Sequence, residues 1–410
     1  MPYYTVLVIL ITLSAAFAYL NHRFLKLPFV IGLFLLSTLL SLGVLLTKYW
    51  NPNDYASVKQ WVDQTNISRF VLEIMLGFLL FAGALHTDWP QIKKQVKTVG
   101  LLAVGGVLLS TVIIAGLMWC FCGWFGIQLD FIYCLLFGAL ISPTDPIAVL
   151  GILTKANVPK KIEATIVGES LFNDGVGVVV FIALLETLRS QSGFDFGRFG
   201  LLFLQEAVGG LAFGFALGYA LHVLLRSINH YETEVLLTLA FVMGGFALCG
   251  LFHLSGALAM VVMGLLVGNF KTNEAMTDVT QAYVHKFWEL LDVILNALLF
   301  IIMAFVLMVL EFRMAYVWIG LLCIVAGLVA RAAVVLLPVW LFPKWINLTF
   351  KESKVVVWGG LRGGLSLALV LSIPENPHKG LLVMVTYLCV VFSILVQGLS
   401  IGKLAKKWVG

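Results

Sequence analysis

Residues 137–153 read FGALISPTDPIAVLGIL, an apolar stretch that is interrupted at its centre. Pro143 and Pro146 flank Thr144 and Asp145 there. Each proline removes a backbone hydrogen-bond donor and clashes with the carbonyl one turn earlier, so a helix cannot continue through this point. Broken backbone at membrane depth is tolerated only where it is buried in protein or lines a water-filled cavity. The stretch therefore predicts a discontinuous helix beside a binding site.

A second interrupted stretch lies near the other end of the chain. Residues 355–371 read VVVWGGLRGGLSLALVL, in which four glycines surround Arg362. The two interruptions lie in the fifth and the twelfth predicted spans. This offset of seven spans is odd, so the two segments cross the membrane in opposite directions. Broken helices at matching positions of two inverted halves are the best sequence indication of a transporter's binding site.

The composition places most of the surface in lipid. Of the 410 residues, 61% are hydrophobic and 11% are charged, and the mean hydropathy is +1.03, whereas soluble domains carry about 25% charged residues. The net charge of +5 lies in short loops between apolar runs, and no basic patch alternates with aromatic residues. We therefore expect a lipid bilayer as the surroundings and no nucleic-acid partner.

Scanning for stretches of about 20 apolar residues predicts an all-α membrane protein with about 13 transmembrane helices. The spans are centred near residues 12, 37, 78, 109, 142, 174, 211, 242, 262, 299, 328, 362 and 391. Two inverted six-helix repeats, at about 3–186 and 232–403, would each contain one broken helix, number 5 or 12. A linker helix at about 198–225 would join them in a single transporter domain, and no soluble regulatory domain is visible.

The positive charges predict the orientation. If the N-terminus is outside, the inner loops hold 17 of the 26 Lys and Arg residues and the outer loops hold 7. Since basic residues concentrate on the cytoplasmic side, this favours an outside N-terminus, a cytoplasmic C-terminus and an odd number of spans. The first apolar run has no basic residue before it, so we interpret it as a retained span of a multi-pass cell-membrane protein.

A few charged residues fall at membrane depth, where each costs at least about 2.5–3.5 kcal/mol. The candidates are Glu73, Asp145, Glu169, Asp174, Arg331 and Arg362, with Glu206, Glu289 and Asp292 nearer the ends of their spans. Such a cost indicates a function or a buried partner for each of them.

The densest polar cluster lies in the sixth span, in the sequence GESLFNDGVGVVVF at 168–181. At roughly 100° per residue, Glu169, Asn173, Ser170 and Asp174 fall on one face of a helix. Oxygen ligands of this kind suit hard cations, which predicts an ion site centred on Asp174. The alternative is a polar network that only joins helices, as is common in membranes, but such a network needs no carboxylate.

Three further charged groups have open interpretations. Asp145 lies at the break, where the free carbonyl of Thr144 can also coordinate a cation; Asp145 either ligates or neutralises the half-helix that follows Pro146. Arg331 has no loop within reach and is predicted to pair with Glu169. Arg362 either balances the half-helix dipoles or faces the cytoplasm.

The motifs GESLFNDGVGVVVF, SPTDP and GGLRGG together resemble the monovalent cation:proton antiporter family, in particular its NhaP-type sodium/proton exchangers. The resemblance covers nearly the whole chain in helix number and motif order. It implies a homodimer in which Asp174 binds Na⁺ and H⁺ alternately, with Ser170 and the backbone around Thr144 and Asp145 as further ligands. It also implies a supporting network of Asn173, Glu169 and Arg331, to which we add Arg362.

The expected mechanism is electroneutral exchange by alternating access, because one carboxylate can hold Na⁺ or H⁺ but not both. Asn173 matters here because it cannot ionise. Li⁺ or K⁺ could replace Na⁺, so a K⁺/H⁺ exchanger is the alternative. We expect no enzyme and no cofactor: the YD and GxGD motifs of aspartyl intramembrane proteases are absent, as is the GxSG of the serine type. A channel is disfavoured by the inverted broken helices.

Overall fold

The protein is described here by a computed structural model that covers residues 3–48, 51, 67–156, 158–190, 195–269, 276–310, 312–343 and 345–409. All regular structure within these residues is helical. The helices and half-helices at the predicted spans are, in chain order, α1 (Tyr3–Leu20), α2 (Phe29–Thr47), α3 (Phe70–Leu85), α4 (Val96–Trp124), α5a (Phe131–Ile141), α5b (Ile147–Lys155), α6 (Lys160–Ser190), α7 (Phe196–Arg226), α8 (Tyr231–Leu251), α9 (Gly256–Asn269), α10 (Asp278–Phe305), α11 (Met314–Leu341), α12a (Phe350–Trp358), α12b (Gly364–Ser372) and α13 (Lys379–Val409).

The predicted membrane architecture is confirmed. In the described part of the chain, nine helices are long and apolar enough to cross a membrane, and α3, α5a and α9 are shorter apolar helices. Each predicted span has a helix, or a pair of half-helices, at its position. How many of these segments cross the bilayer stays a prediction, and thirteen is compatible with the helices observed.

Both predicted breaks are present. The fifth segment stops at Ile141 and resumes at Ile147, so it is interrupted at the SPTDP sequence. The twelfth stops at Trp358 and resumes at Gly364, around the glycines that flank Arg362. The prolines and glycines act locally in both cases, which is why the sequence predicted the positions closely.

The helices pack in two groups. In the first, α4 packs against α5a and α11, α11 against α12a and α13, and α5a against α6. In the second, α9 packs against α3, α7 and α8, and α10 against α2, α3 and α8. Helix α6 also contacts α7 and α9, so it lies where the two groups meet.

Small residues allow α7 and α9 to approach closely. A Cβ atom added at Gly214 would lie 2.4 Å from the Ala259 carbonyl oxygen, and one at Gly210 would lie 2.6 Å from that of Ser255. Such contacts replace the hydrophobic driving force that lipid removes, since packing is what holds helices together in a membrane. Helices α7 and α9 thus form a closely packed pair, and α6 contacts both of them.

Candidate cation site

The two broken segments meet at their breaks. The backbone N–H of Asp145 donates to the carbonyl of Leu361 over 2.7 Å, which joins one break directly to the other. The backbone N–H of Arg362 donates to the Ser393 hydroxyl over 2.7 Å, which attaches the second break to α13. The hydroxyl of Ser366 at the start of α12b donates to the carbonyl of Leu140 over 2.7 Å. The breaks therefore form one assembled structure, although more than 200 residues separate them in the chain.

Arg362 compensates the end of α5a. Its guanidinium donates to the carbonyls of Ser142 and Pro143, the second over 3.0 Å, and only 7% of the residue is exposed. The last carbonyls of a helix have no partner within it and carry partial negative charge. Of the two interpretations of Arg362, the structure places the side chain at the half-helix dipole and not at the surface.

Asp145 lies at the start of α5b. Its Oδ1 accepts a hydrogen bond from the backbone N–H of Ile147 over 2.9 Å, which satisfies a free donor of the half-helix. Its Oδ2 lies close to Gly363, where an added Cβ would come within 2.3 Å of it. One oxygen thus has the helix-capping role and the other remains for a different partner.

Three side chains hold the fifth segment against α6. The Asn173 amide accepts from the backbone N–H of Thr144 over 3.3 Å and donates to the Thr144 hydroxyl over 2.9 Å. The Ser170 hydroxyl donates to the Thr144 carbonyl. All three residues are at least 97% buried. The contacts orient the unwound backbone, and they leave lone pairs on the Ser170 hydroxyl and the Thr144 carbonyl.

Asp174 is the polar residue of this face that these contacts do not use. Within the described residues, no hydrogen bond joins its carboxylate to another group. It is half-buried and borders a cavity of about 580 Å³, which Thr144, Asp145 and Ser170 also line. The structure therefore brings the four predicted ligands to the wall of one cavity.

The cavity reaches one end of α6. Its walls extend to Asp88, which caps the short helix Trp89–Lys94 between α3 and α4, and to Lys160 and Glu163, at the start of α6. These residues lie in the predicted cytoplasmic loops or next to them. The carboxylate of Asp174 lies about eleven residues, or roughly 16 Å, further along α6 than Glu163.

Glu169 and Arg331 form a buried ion pair. The Nη1 and Nη2 of Arg331 donate to the Oε1 and Oε2 of Glu169, the second over 2.8 Å. Glu169 is 1% exposed and Arg331 is 6% exposed. The guanidinium also donates to the carbonyl of Val356 in α12a over 3.2 Å. The pair links α6, α11 and α12a behind the site, and Glu169 does not line the cavity.

Of the remaining candidate charges, Glu289 and Asp292 border the cavity, and Glu73 and Glu206 do not. Glu73 is exposed and pairs with Arg69 over 2.7 Å. Glu206 is buried on α7 and does not line the cavity. Asp292 does line it, together with Asn296 one turn later. Sequence reasoning missed Asn296, although an amide four residues after an aspartate in an apolar span was an available signal.

The site can bind a hard monovalent cation or a proton. Asp174 and Asp145 supply carboxylate oxygens, Thr144 a carbonyl oxygen and Ser170 a hydroxyl oxygen, which are the ligand types such cations prefer. A carboxylate that takes a proton loses most of its attraction for a cation, so the two occupants compete.

Comparison with known proteins agrees with this chemistry. The family described as "Sodium/hydrogen exchanger, transmembrane" matches residues 10–407. The chain is 44% identical to the Na(+)/H(+) antiporter NhaP of Pseudomonas aeruginosa over 97% of this chain and 95% of that one. It is 33% identical to the Na(+)/H(+) antiporter NhaH of Halobacillus dabanensis, covering 85% and 86% of the two chains.

A solved structure has the same fold. The sodium proton antiporter MjNhaP1 of Methanocaldococcus jannaschii superposes with a TM-score of 0.78 over 99% of this chain and 98% of that one. The sequence identity of the two chains is 21%. This likeness concerns the arrangement of helices, which the all-α prediction anticipated.

Proposed function

The chain belongs to the sodium/hydrogen exchanger family of transmembrane proteins, and from that premise we propose that it exchanges Na⁺ for H⁺ across a cell membrane, with Asp174 as the carrier. One observation carries the proposal: Asp174 faces the cavity at the crossing of the two broken helices and has no hydrogen-bond partner among the described residues. A half-buried carboxylate at membrane depth that has no partner needs a counter-ion or a proton.

The neighbouring groups divide into ligands and supports. Ser170, Thr144 and Asp145 border the same cavity as Asp174 and complete the oxygen set for Na⁺. Asn173, Glu169, Arg331 and Arg362 point to backbone carbonyls, amides or each other, and keep the two breaks in position.

Sodium is the preferred cation in this proposal. The similar proteins of Pseudomonas aeruginosa and Halobacillus dabanensis are both named as Na(+)/H(+) antiporters. Those names support Na⁺ over the alternative of a K⁺/H⁺ exchanger. Li⁺, with the same charge and a smaller radius, is a second expected cargo. The function needs no cofactor and no covalent chemistry.

Alternating access would come from the inverted repeats at about 3–186 and 232–403, with α7 as their linker. The packing supports this assignment. If α1–α6 correspond to α8–α13, the contact of α2 with α10 has its counterpart in the contact of α9 with α3, and that of α1 with α2 in that of α8 with α9. A movement of the α4–α6 and α11–α13 group against the other helices would then expose Asp174 to each side in turn.

The orientation and assembly follow from the same proposal. The N-terminus is outside and the C-terminus is cytoplasmic, so the cavity described above opens to the cytoplasm. The protein is a homodimer, as the family resemblance implies.

The test is cation-driven proton flux in proteoliposomes that contain a pH-sensitive dye. Pulses of Na⁺ and Li⁺ should each move the internal pH, and K⁺ should move it much less. Asp174→Asn should abolish the response, because the amide binds neither a proton nor a cation at working pH. Glu73→Gln is the matched control, since this exposed carboxylate already pairs with Arg69. Substantial flux in a well-folded Asp174→Asn protein would falsify the assignment, and a response to K⁺ alone would favour the alternative cargo.

A further inference from the structure

Helix α10 forms the wall of the cavity that faces α6. Glu289, Asp292 and Asn296 border the cavity and follow one another at helical spacing, so they share one face of α10. Asn296 lies about 10 Å further along the helix than Glu289. Helix α10 thus presents a row of oxygen-bearing side chains to the cavity, as α6 does with Glu163, Ser170 and Asp174.

Asn296 is a buried amide with an unused acceptor. The residue is 2% exposed, and its Nδ2 donates to the Asp292 side chain over 3.0 Å and to the Asp292 carbonyl over 2.9 Å. Its Oδ1 is buried and has no hydrogen-bond partner among the described residues. A buried polar atom without a partner is costly and indicates a group that approaches it.

Asp292 supplies negative charge beside this amide. Its Oδ1 accepts the bond from Asn296, and no donor within the described residues reaches its other carboxylate oxygen. Asp292, Asp145 and Asp174 all border the same cavity. Acidic groups therefore continue from α10 to the carrier.

We propose that Asp292 and Asn296 form a second cation site, at which Na⁺ or a similar monovalent cation binds on its way between the cytoplasm and Asp174. The inference rests on the proposed function. The carboxylate of Asp292 and the Oδ1 of Asn296 supply the hard oxygen ligands, and water in the cavity completes the shell. The site attracts the cation before Asp174 has lost its proton.

The position of α10 gives the second site a distinct role. Helix α10 packs against α2, α3 and α8, whereas α6, which carries Asp174, packs against α5a and also contacts α7 and α9. A movement between the two groups of helices would separate the second site from the carrier. Asp292 and Asn296 would thus load or receive the cation only while the cavity is open to their side.

The experiment compares apparent KM values for Na⁺ in vesicles of the two orientations. Asp292→Asn and Asn296→Leu should raise the KM roughly tenfold when Na⁺ is added on the cavity side, the size expected for losing one nearby charge or ligand. The maximal rate, and the KM from the opposite side, should change less than about twofold. An unchanged cavity-side KM in both folded variants would overturn the proposal.

A matched control separates a site from general electrostatic attraction. Glu289→Gln removes the same charge from the same helix face, but the Glu289 carboxylate already pairs with Lys286 over 3.0 Å. Its KM should stay within about twofold of the unmodified protein's. If Glu289→Gln and Asp292→Asn shift the KM for Na⁺ equally, the cation responds only to the total negative charge that lines the cavity. In that case the proposal of a second site fails.

Direct binding provides a readout that does not need transport. Crystals of the Asp174→Asn protein soaked in Tl⁺ should show anomalous density between Asp292 and Asn296, and the density should disappear in Asp174→Asn/Asp292→Asn. The absence of density between Asp292 and Asn296 in crystals of the Asp174→Asn protein would overturn the second site. If the unmodified protein shows no Na⁺-driven proton flux yet Tl⁺ binds on α10, the proposed function fails and the site stands.

Discussion

At the scale of single residues, the most closely constrained contact is the ion pair of Glu169 with Arg331. The pair is buried and bidentate, and Glu169 does not line the cavity. Removing one member leaves an uncompensated charge in a low-dielectric interior, which typically costs about 3–5 kcal/mol. The pair therefore supports the site through stability and geometry, while Asp174 performs the exchange.

The double-mutant cycle of this pair is the first residue-scale prediction. Glu169→Gln and Arg331→Met should each lower the melting temperature in detergent. The double variant should recover part of the loss, because neither charge is then left alone. Thermal unfolding followed by tryptophan fluorescence gives the four values. Losses that simply add would show that the two side chains do not stabilise each other.

At the scale of elements, the unwound part of the twelfth segment lies very close to side chains of the fifth segment and of α11. An added Cβ at Gly363 would lie 2.3 Å from the Oδ2 of Asp145, and one at Gly360 would lie 2.5 Å from the Nε of Arg331. Distances under 3 Å force a displacement. Glycine is therefore required here because of the crossing, in addition to its freedom to leave the helix.

We expect Gly363→Ala to push Asp145 away from the cation site. The exchange rate should fall by tenfold or more, which corresponds to about 1.4 kcal/mol, while the protein still folds. The matched control is Gly151→Ala in α5b, where an added Cβ meets nothing within 4 Å; it should keep its rate and gain up to about 1 kcal/mol of helix stability. Equal rates in the two variants, measured in the same proteoliposome assay, would contradict this account of the crossing.

At the scale of the whole molecule, the stoichiometry follows from the number of carriers. Asn173 binds to Thr144 and cannot ionise, so one carboxylate on α6 faces the cavity at the crossing. Asp145 already accepts a helix N–H. Exchange through Asp174 alone moves one Na⁺ for one H⁺ and no net charge.

The corresponding prediction concerns the membrane potential. K⁺ and valinomycin set the membrane potential of the proteoliposomes. With Na⁺ present, this imposed potential should not by itself produce a steady pH gradient across the liposome membrane. Lower pH should raise the apparent KM for Na⁺, because a proton on Asp174 excludes the cation. A pH gradient that follows the imposed potential would mean that a second titrating group, Asp145 or Glu169, takes part in carrying the proton. Empty liposomes and Asp174→Asn liposomes are the controls for leak.

Much of the fold could be read from the chain because its causes are local. Apolar stretches of membrane length, the prolines of SPTDP and the glycines around Arg362 each act on their own segment, and the helices and breaks occur where these signals lie. The Glu169, Ser170, Asn173 and Asp174 face of α6 was likewise visible from helical spacing. Family membership followed from the same motifs and is confirmed by the match over residues 10–407.

Long-range contacts decided how these residues divide their roles. Helical spacing alone places two carboxylates, Glu169 and Asp174, on the polar face of α6. The packing of separate helices then turned Glu169 towards Arg331, 162 residues away, and left Asp174 facing the cavity. It likewise brought Arg362 to the carbonyl of Ser142, 220 residues away, and Asn296 to the cavity wall. Hydropathy and helical period describe one segment at a time, whereas these partners are set by how separate helices pack, which no local pattern encodes.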